Sequence, residues 1–195
     1  MNLWKSYLRW RHSHGFGVHS PYAFSFVENV VRPGCYGFYS YEDALGYLED
    51  DEIHHHRLIR LIEFFIRLTF FLKSRRIICL SDEGKSNDYI SRASDIAARS
   101  LKLEIILSSG KNLRLMEGDL LIISPEENNL STLDKAVNEA VTRGVAVCSV
   151  RPGKELRNLM ERSLERGLLI NSPYMMILIP RREMAYVAYD MKIAL

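Results

Sequence analysis

From residue 75 onward the sequence alternates between short apolar runs and longer amphipathic stretches, and this alternation constrains the fold more than any other feature. Short runs rich in β-branched residues predict strands, and apolar residues at helical spacing predict helices. The predicted strands cover residues 76–81, 103–108, 119–124 and 145–150. The predicted helices cover residues 86–100, 131–143 and 154–166. Strands that alternate with helices in this way predict an α/β fold with a mostly parallel sheet.

The C-terminal part of the chain departs from the alternation. Two apolar runs, residues 175–180 and 184–191, flank the short polar segment at residues 181–183. So tight a connection predicts that the two runs pair antiparallel. The predicted fold class is therefore α/β, with a Rossmann-like mostly parallel sheet and a C-terminal antiparallel hairpin, preceded by an N-terminal helical segment.

The first 74 residues predict helices rather than strands. A helix is expected over residues 1–14, a second from Pro21 with Ser20 as its cap, and a longer one over residues 53–72. We expect residues 1–74 to pack on a core formed by residues 75–195. In the long helix the apolar residues spread over more than one face, which predicts packing on two sides, either within the chain or against a second subunit.

The first predicted helix interleaves aromatic residues with cations. These residues are Trp4, Lys5, Tyr7, Arg9, Trp10 and Arg11. Such a helix could stack on nucleic-acid bases or lie on an anionic membrane surface. We favour a third interpretation, in which the aromatic rings pack on the neighbouring domain and the arginines stay in water.

Composition limits the environment and the partners. The net charge of +2 lacks the strong basic excess of a dedicated nucleic-acid binder, so a nucleic-acid partner is not expected. The three cysteines make no paired framework, and Cys79 and Cys148 lie in apolar runs, which predicts buried free thiols and a reducing, cytoplasmic setting. No signal peptide is predicted, and residues 58–72 are too short and too charged for a membrane span.

Two features resemble a known family. The segment from His14 to Phe24, HGFGVHSPYAF, resembles the N-terminal HG-x-HSPF-x-F segment of small bacterial O-methyltransferase-like proteins of the Bacteroidetes type. An aromatic segment at residues 36–38 and an L-x-R-L helix at residues 58–61 follow in the order of that group. The parallel strands with a terminal antiparallel strand are similar to class I S-adenosylmethionine-dependent methyltransferases. The resemblance implies S-adenosylmethionine as cofactor, bound where the strands end.

The resemblance assigns six residues to the cofactor cleft. They are Ser81, Asp82, Glu83, Gly84, Ser109 and Ser124. The family usually has an acidic residue in the first strand, a glycine-rich turn after it, and an acidic residue at the end of the second strand. Here Cys79 stands near the first acidic position, the turn keeps one glycine, and the second strand ends in serines. These departures predict weak or lost cofactor binding, unless Asp82 or Glu83 supplies the missing carboxylate.

The remaining motifs give weaker evidence for a functional site. No residue can be named as a catalytic base, although His19 is a candidate because its segment borders the active site in the resembled group. Adjacent histidines at residues 54–56 point about 100° apart on a helix, so no metal site is expected. The run Gly84–Lys85–Ser86 lacks the first glycine of a phosphate-binding loop, because Cys79 occupies that position.

Two hypotheses on function follow from the sequence. The first is a methyltransferase-like protein with weakened or lost binding of S-adenosylmethionine, which leaves open whether the chain is an enzyme. The second is a non-catalytic binding or scaffold protein that keeps the fold, possibly as a homodimer through the apolar helix at residues 58–72 and the N-terminal aromatic helix. A small-molecule ligand is possible under either hypothesis.

Overall fold

The computed structural model describes residues 3–32, 38–49, 52, 55–81, 89–110, 113–124 and 129–193, and it has the predicted α/β fold. The helices are α1 (Leu3–Ser13), α2 (Pro21–Phe26), α3 (Phe38–Leu45), α4 (His56–Leu72), α5 (Tyr89–Ser100), α6 (Leu130–Arg143) and α7 (Lys154–Ser163), with a π-helical segment (Val27–Val31) after α2. The strands are β1 (Arg76–Leu80), β2 (Glu104–Ser108), β3 (Asp119–Ile123), β4 (Ala146–Val150), β5 (Gly167–Asn171), β6 (Met175–Pro180) and β7 (Val187–Asp190).

These strands form one seven-stranded sheet in the order β2-β1-β3-β4-β6-β5-β7. The first four strands in this order pair in parallel. Strand β6 runs antiparallel to both of its neighbours, β4 and β5, whereas β7 pairs in parallel with β5. The sheet is therefore mostly parallel with an antiparallel hairpin near its C-terminal edge, as the sequence predicts.

The strands of the hairpin differ from the prediction. Residues 175–180 pair with β5 and not with residues 184–191, and β7 lies on the other side of β5. The sequence analysis misses β5 because Gly167 has the pattern of a helix end. Gly167 instead opens β5 with φ +125°, and an added Cβ would lie 2.2 Å from the carbonyl oxygen of Ile179. Only glycine allows the two strands to approach so closely at this point.

Helices cover both faces of the sheet. Along β1, Ile77 and Cys79 point into one core with α4, α5 and the helices near the N-terminus, whereas Ile78 and Leu80 point into a second core under α6 and α7. Strands buried on both faces explain the continuous apolar runs of the sequence. Cys79 and Cys148 are buried, as predicted, and burial raises the pKa of the Cys148 thiol.

Helix α4 packs on two sides within its own chain. Phe64 and Phe65 are completely buried, and the helix contacts α3, α5 and the π-helical segment. Inside this packing the guanidinium of Arg67 donates to the Val30 carbonyl at 3.0 Å and to the Tyr41 hydroxyl at 3.1 Å. Of the two alternatives left open by the sequence, packing within the chain accounts for the second apolar face. Neither α4 nor any other helix of the described residues is long and apolar enough to cross a membrane.

Helix α1 packs against β7 through polar groups. The Ser13 hydroxyl accepts the Lys192 backbone N–H at 2.7 Å, and His12 Nδ1 donates to the Asp190 carbonyl at 2.9 Å. On the outward side, Trp4 is 64% and Trp10 48% exposed. The expectation that these rings pack on the neighbouring domain is therefore wrong. The chain at the end of β7 offers backbone polar groups, so the hydroxyl and imidazole of α1 turn toward it and the rings turn away.

Candidate functional site

The candidate site lies where the chain reverses its direction of travel across the sheet. From β1 the chain moves outward to β2, and β3 then lies on the opposite side of β1. Ligands of open α/β sheets bind in the crevice outside the carboxyl ends of the strands at such a switch point. Backbone hydrogen bonds join these ends, because the Ser81 N–H donates to the Ser108 carbonyl and the Ser124 N–H donates to the Leu80 carbonyl, each at 3.0 Å.

The structure brings three of the predicted cofactor residues to this crevice. Ser81 follows β1, Ser109 follows β2 and Ser124 follows β3. Ser81 and Ser109 are half-buried, whereas Ser124 is completely buried. The other predicted cofactor residues, Asp82, Glu83 and Gly84, lie outside the described residues.

The turn after β2 is tightly packed. The Ser108 hydroxyl accepts the Gly110 N–H at 3.1 Å, so it is already used within the turn. Gly110 has φ +84°, and an added Cβ would lie 2.3 Å from Thr132 Cγ2 and 3.3 Å from Leu80 Cδ1. The loop therefore lies directly on α6 and on the end of β1, and the close approach requires glycine.

A cavity of about 740 Å³ opens beside this turn. Its walls are formed by Gly110, Leu113, Arg114, Thr132, Lys135, Ala136 and Glu139. Arg114 and Lys135 are exposed cations, whereas the Glu139 carboxylate is engaged by Arg143 at 2.9 Å. The described lining residues therefore carry a net positive charge, which favours binding of an anionic group over the sulfonium cation of S-adenosylmethionine.

A second cavity, of about 120 Å³, lies at the carboxyl end of β4. It is lined by Arg57, Leu61, Tyr89, Val150, Arg151 and Tyr174. Arg151 adopts φ +50°, which is uncommon for a residue with a side chain, while its N–H donates to the Tyr174 carbonyl at 2.7 Å. Two arginines and two tyrosines suit a small anionic or aromatic group. Sequence reasoning missed this set, although Arg151 directly follows β4 and Tyr174 directly precedes β6.

His19 lies elsewhere. It is exposed, and its backbone N–H donates to the Tyr189 hydroxyl of β7 at 3.3 Å. Because β7 is four strands away from β3 in the sheet order, the two strands are roughly 19 Å apart at about 4.8 Å per strand. The structure does not bring His19 to the three serines, and its role as a catalytic residue remains a prediction.

The carboxyl end of β5 is held by an arginine of α7. Arg157 donates to the Asn171 side chain at 2.5 Å and to the backbone carbonyls of Ser172 at 3.0 Å and Pro173 at 3.2 Å. Asn171 in turn donates to the Asp190 carboxylate at 2.9 Å. Burial lowers the pKa of Arg157. Because these side chains are engaged with one another, the carboxyl end of β5 has a structural role.

The amino ends of the strands carry a buried ion pair. Arg76 donates to both oxygens of Asp119, at 2.8 and 2.7 Å, and Asp119 also accepts the Met116 N–H at 2.6 Å. The paired carboxylate raises the pKa of Arg76. Asp119 thereby connects the first residues of β1 and β3, which is a structural role.

The largest of these cavities, about 870 Å³, also opens at the amino ends. Its charged lining residues are Glu117, Asp119, Arg143, Glu165, Arg166, Arg181, Arg182 and Glu183. Four arginines face four carboxylates, so the lining favours neither sign of ligand. The cavity lies at the opposite end of the strands from the predicted site, and its size alone does not make it the functional cleft.

No three His, Cys, Asp or Glu side chains of the described residues are close enough together to hold a metal ion. Of the adjacent histidines, His55 and His56 are exposed at the start of α4, and His54 lies outside the described residues. A comparison with models of known protein families found no match, and neither did a comparison with curated proteins.

Proposed function

We propose that this chain is an S-adenosylmethionine-dependent methyltransferase-like protein whose cofactor binding is weakened or lost. The proposal is supported by the position of Ser81, Ser109 and Ser124 at the switch point between β1 and β3. It is also supported by the reversed strand β6 beside β4, since the resemblance rests on parallel strands followed by an antiparallel one.

The observation that carries the proposal is the chemistry of the crevice. Its described strand ends provide serine hydroxyls and no carboxylate for the two ribose hydroxyls of the cofactor. A hydrogen bond to a charged group contributes about 1.5–3 kcal/mol, so its loss weakens binding roughly ten- to a hundredfold. The cations Arg114 and Lys135 in the adjacent cavity further disfavour a sulfonium ligand. Asp82 and Glu83 are the residues from which a compensating carboxylate would have to come.

If the crevice is catalytic, it acts mainly by aligning the acceptor with the cofactor. Bound S-adenosylmethionine would supply the methyl group for an acceptor oxygen. Such a reaction gains mostly from positioning the acceptor in line with the methyl group.

The test is calorimetric titration of the chain with S-adenosylmethionine and S-adenosylhomocysteine. We expect a dissociation constant in the millimolar range or no measurable heat. Ser109→Asp places a carboxylate at the end of β2 and should tighten binding about tenfold, whereas Ser109→Asn, of similar size and uncharged, should not. Micromolar binding by the unmodified chain would contradict the proposal of a weakened site. Asp82→Asn and Glu83→Gln would then test whether either residue supplies the compensating carboxylate.

A second candidate is a non-catalytic binding or scaffold protein on the same fold. It is favoured by the exposed rings of α1, which form an interaction surface away from the crevice. The apolar face of α4 no longer contributes to this candidate, because that face is buried within the chain. If Ser109→Asp also fails to bind either ligand, this candidate becomes the stronger one. A homodimer would appear as a dimer mass that persists on dilution without ligand.

A further inference from the structure

The outward face of α1 and the residue that follows the helix carry a row of neighbouring aromatic side chains, Trp4, Tyr7, Trp10 and His14, which we call the aromatic ridge. Neighbouring ring centroids lie 5.9, 6.3 and 4.6 Å apart along the row. Trp4, Tyr7 and Trp10 are 64%, 47% and 48% exposed. Large rings are rarely exposed together over three turns of one helix without a partner, so the ridge indicates an interaction surface.

Two phenylalanines extend the ridge beyond the end of α1. Phe16 is 57% and Phe24 45% exposed. The Phe24 ring packs on Gly15, where an added Cβ would lie only 2.7 Å from its Cε2 atom. Exposed aromatic rings therefore occur both on the helix and in the segment that follows it.

The polar side of α1 faces the protein. Ser13 donates to the Arg9 carbonyl at 2.6 Å while accepting the Lys192 N–H, and His12 packs its ring against Tyr189 with centroids 5.4 Å apart. At 3.6 residues per turn, residues 9, 12 and 13 lie opposite the ridge. Helix α1 therefore turns its polar side toward the sheet edge and its rings toward solvent.

The charge around the ridge is of one sign. Lys5, Arg9 and Arg11 are the charged side chains before Glu28, so residues 1–27 contain three cations and no carboxylate. The rest of the chain has 23 basic and 24 acidic residues. The Arg11 guanidinium lies within the ridge, 5.8 Å from the Tyr7 ring centroid. Arg11 thus places a positive charge among the exposed rings, whereas Lys5 and Arg9 lie toward the opposite side of the helix.

We propose that the aromatic ridge docks on the surface of an anionic lipid bilayer. Tryptophan and tyrosine rings favour the headgroup level, because one part of the ring system is apolar and the other donates hydrogen bonds. Arg11 would lie among the anionic headgroups, with an attraction of about 1 kcal/mol, or roughly fivefold in affinity. The helix would lie in the plane of the interface, in the manner of an amphipathic surface helix.

Charge disfavours two other partners. A dedicated nucleic-acid binder carries a strong basic excess, whereas this chain has a net charge of +2. A symmetric dimer would bring the same patch of both copies together. It would therefore oppose two positive surfaces that contain no carboxylate between residues 1 and 27.

The two tryptophans of the chain, Trp4 and Trp10, both belong to the ridge, so intrinsic fluorescence reports on it directly. The full chain is mixed with phosphatidylcholine vesicles that contain about 30% phosphatidylserine, and with pure phosphatidylcholine vesicles. We expect a blue shift, quenching by brominated lipid and co-sedimentation with the anionic vesicles, all weakened by added salt. Arg11→Gln should reduce co-sedimentation about fivefold, and Trp4→Ala with Trp10→Ala at least about tenfold.

Phe70→Ala is the matched control, since Phe70 is 66% exposed on α4 and lies outside the ridge. It should leave vesicle binding unchanged, and circular dichroism verifies that every variant is folded. Three results would overturn the proposal: no fluorescence change with anionic vesicles, equal binding to neutral vesicles, or a concentration-dependent dimer that shifts the fluorescence without lipid. A shift caused by oligouridylate and not by vesicles would assign the ridge to RNA and would equally overturn it.

Discussion

Helices α1 and α4 are both rich in aromatic residues, but their aromatic rings differ in burial. Phe64 and Phe65 of α4 are completely buried, whereas Trp4 and Trp10 of α1 are about half exposed or more. The difference lies in what each helix packs against. Helix α4 lies over an apolar face of the sheet, and α1 lies along the edge strand β7, where backbone polar groups must be satisfied. Aromatic content therefore does not decide burial, and position in the fold does.

The first prediction has the largest expected effect on stability and concerns the buried side of α4. Phe65→Ala removes a completely buried ring and leaves a cavity, so we expect the free energy of unfolding to fall by about 3–5 kcal/mol. Urea denaturation measures the change. Phe70→Ala on the exposed side of the same helix should change stability by less than about 0.5 kcal/mol. Equal losses for the two variants would contradict the packing of α4.

The second prediction concerns the ion pair near the start of α4. Glu52 accepts two hydrogen bonds from Arg92 of α5, each at 2.8 Å, and these bonds, followed by smaller contributions, lower the pKa of Glu52 from 4.5 to about 2. Since the folded-state pKa is the lower one, the stabilisation is complete above about pH 5 and is lost as the pH falls toward 2.

Glu52→Gln should therefore lower the free energy of unfolding at pH 7 by about 1–2 kcal/mol, because a half-buried charged pair is broken. The difference between Glu52→Gln and the unmodified chain should shrink between pH 5 and pH 2. Thermal unfolding over this pH range measures it. A difference that stays constant with pH would mean that the carboxylate charge is not responsible.

The third prediction concerns the anchor of α1. Ser13→Ala removes the acceptor of the Lys192 N–H at 2.7 Å, and we expect the free energy of unfolding to fall by about 1 kcal/mol. Hydrogen exchange of the α1 amides should become faster, since the helix is held to the edge by few contacts. Unchanged exchange in α1 would show that other contacts hold the helix in place.

The fourth prediction is the smallest effect on stability. Trp4→Ala with Trp10→Ala should change the free energy of unfolding by less than about 0.5 kcal/mol, because both rings are largely exposed. A loss of 2 kcal/mol or more would mean that the ridge stabilises the fold. It would also remove the contrast between α1 and α4.

Most of the candidate crevice could be located from the sequence, because the carboxyl ends of predicted parallel strands meet at one edge of a sheet. Ser81 and Ser124 are the last residues of predicted strands and Ser109 directly follows one, and the structure brings them together. Arg57 and Tyr89 could not be found in this way. They belong to the cavity beside Arg151 only because the starts of α4 and α5 lie close to the end of β4.

The sequence was sufficient to predict the α/β fold class, the alternation of helices and strands, and the burial of Cys79 and Cys148, because these depend on periodicity and on local apolar content. Tertiary structure alone decided which strands form the hairpin, since the pairing of β5 with β6 depends on the close approach at Gly167. It also decided which side of α1 faces outward. That orientation depends on the backbone groups at the end of β7, which are nearly 180 residues away in the chain.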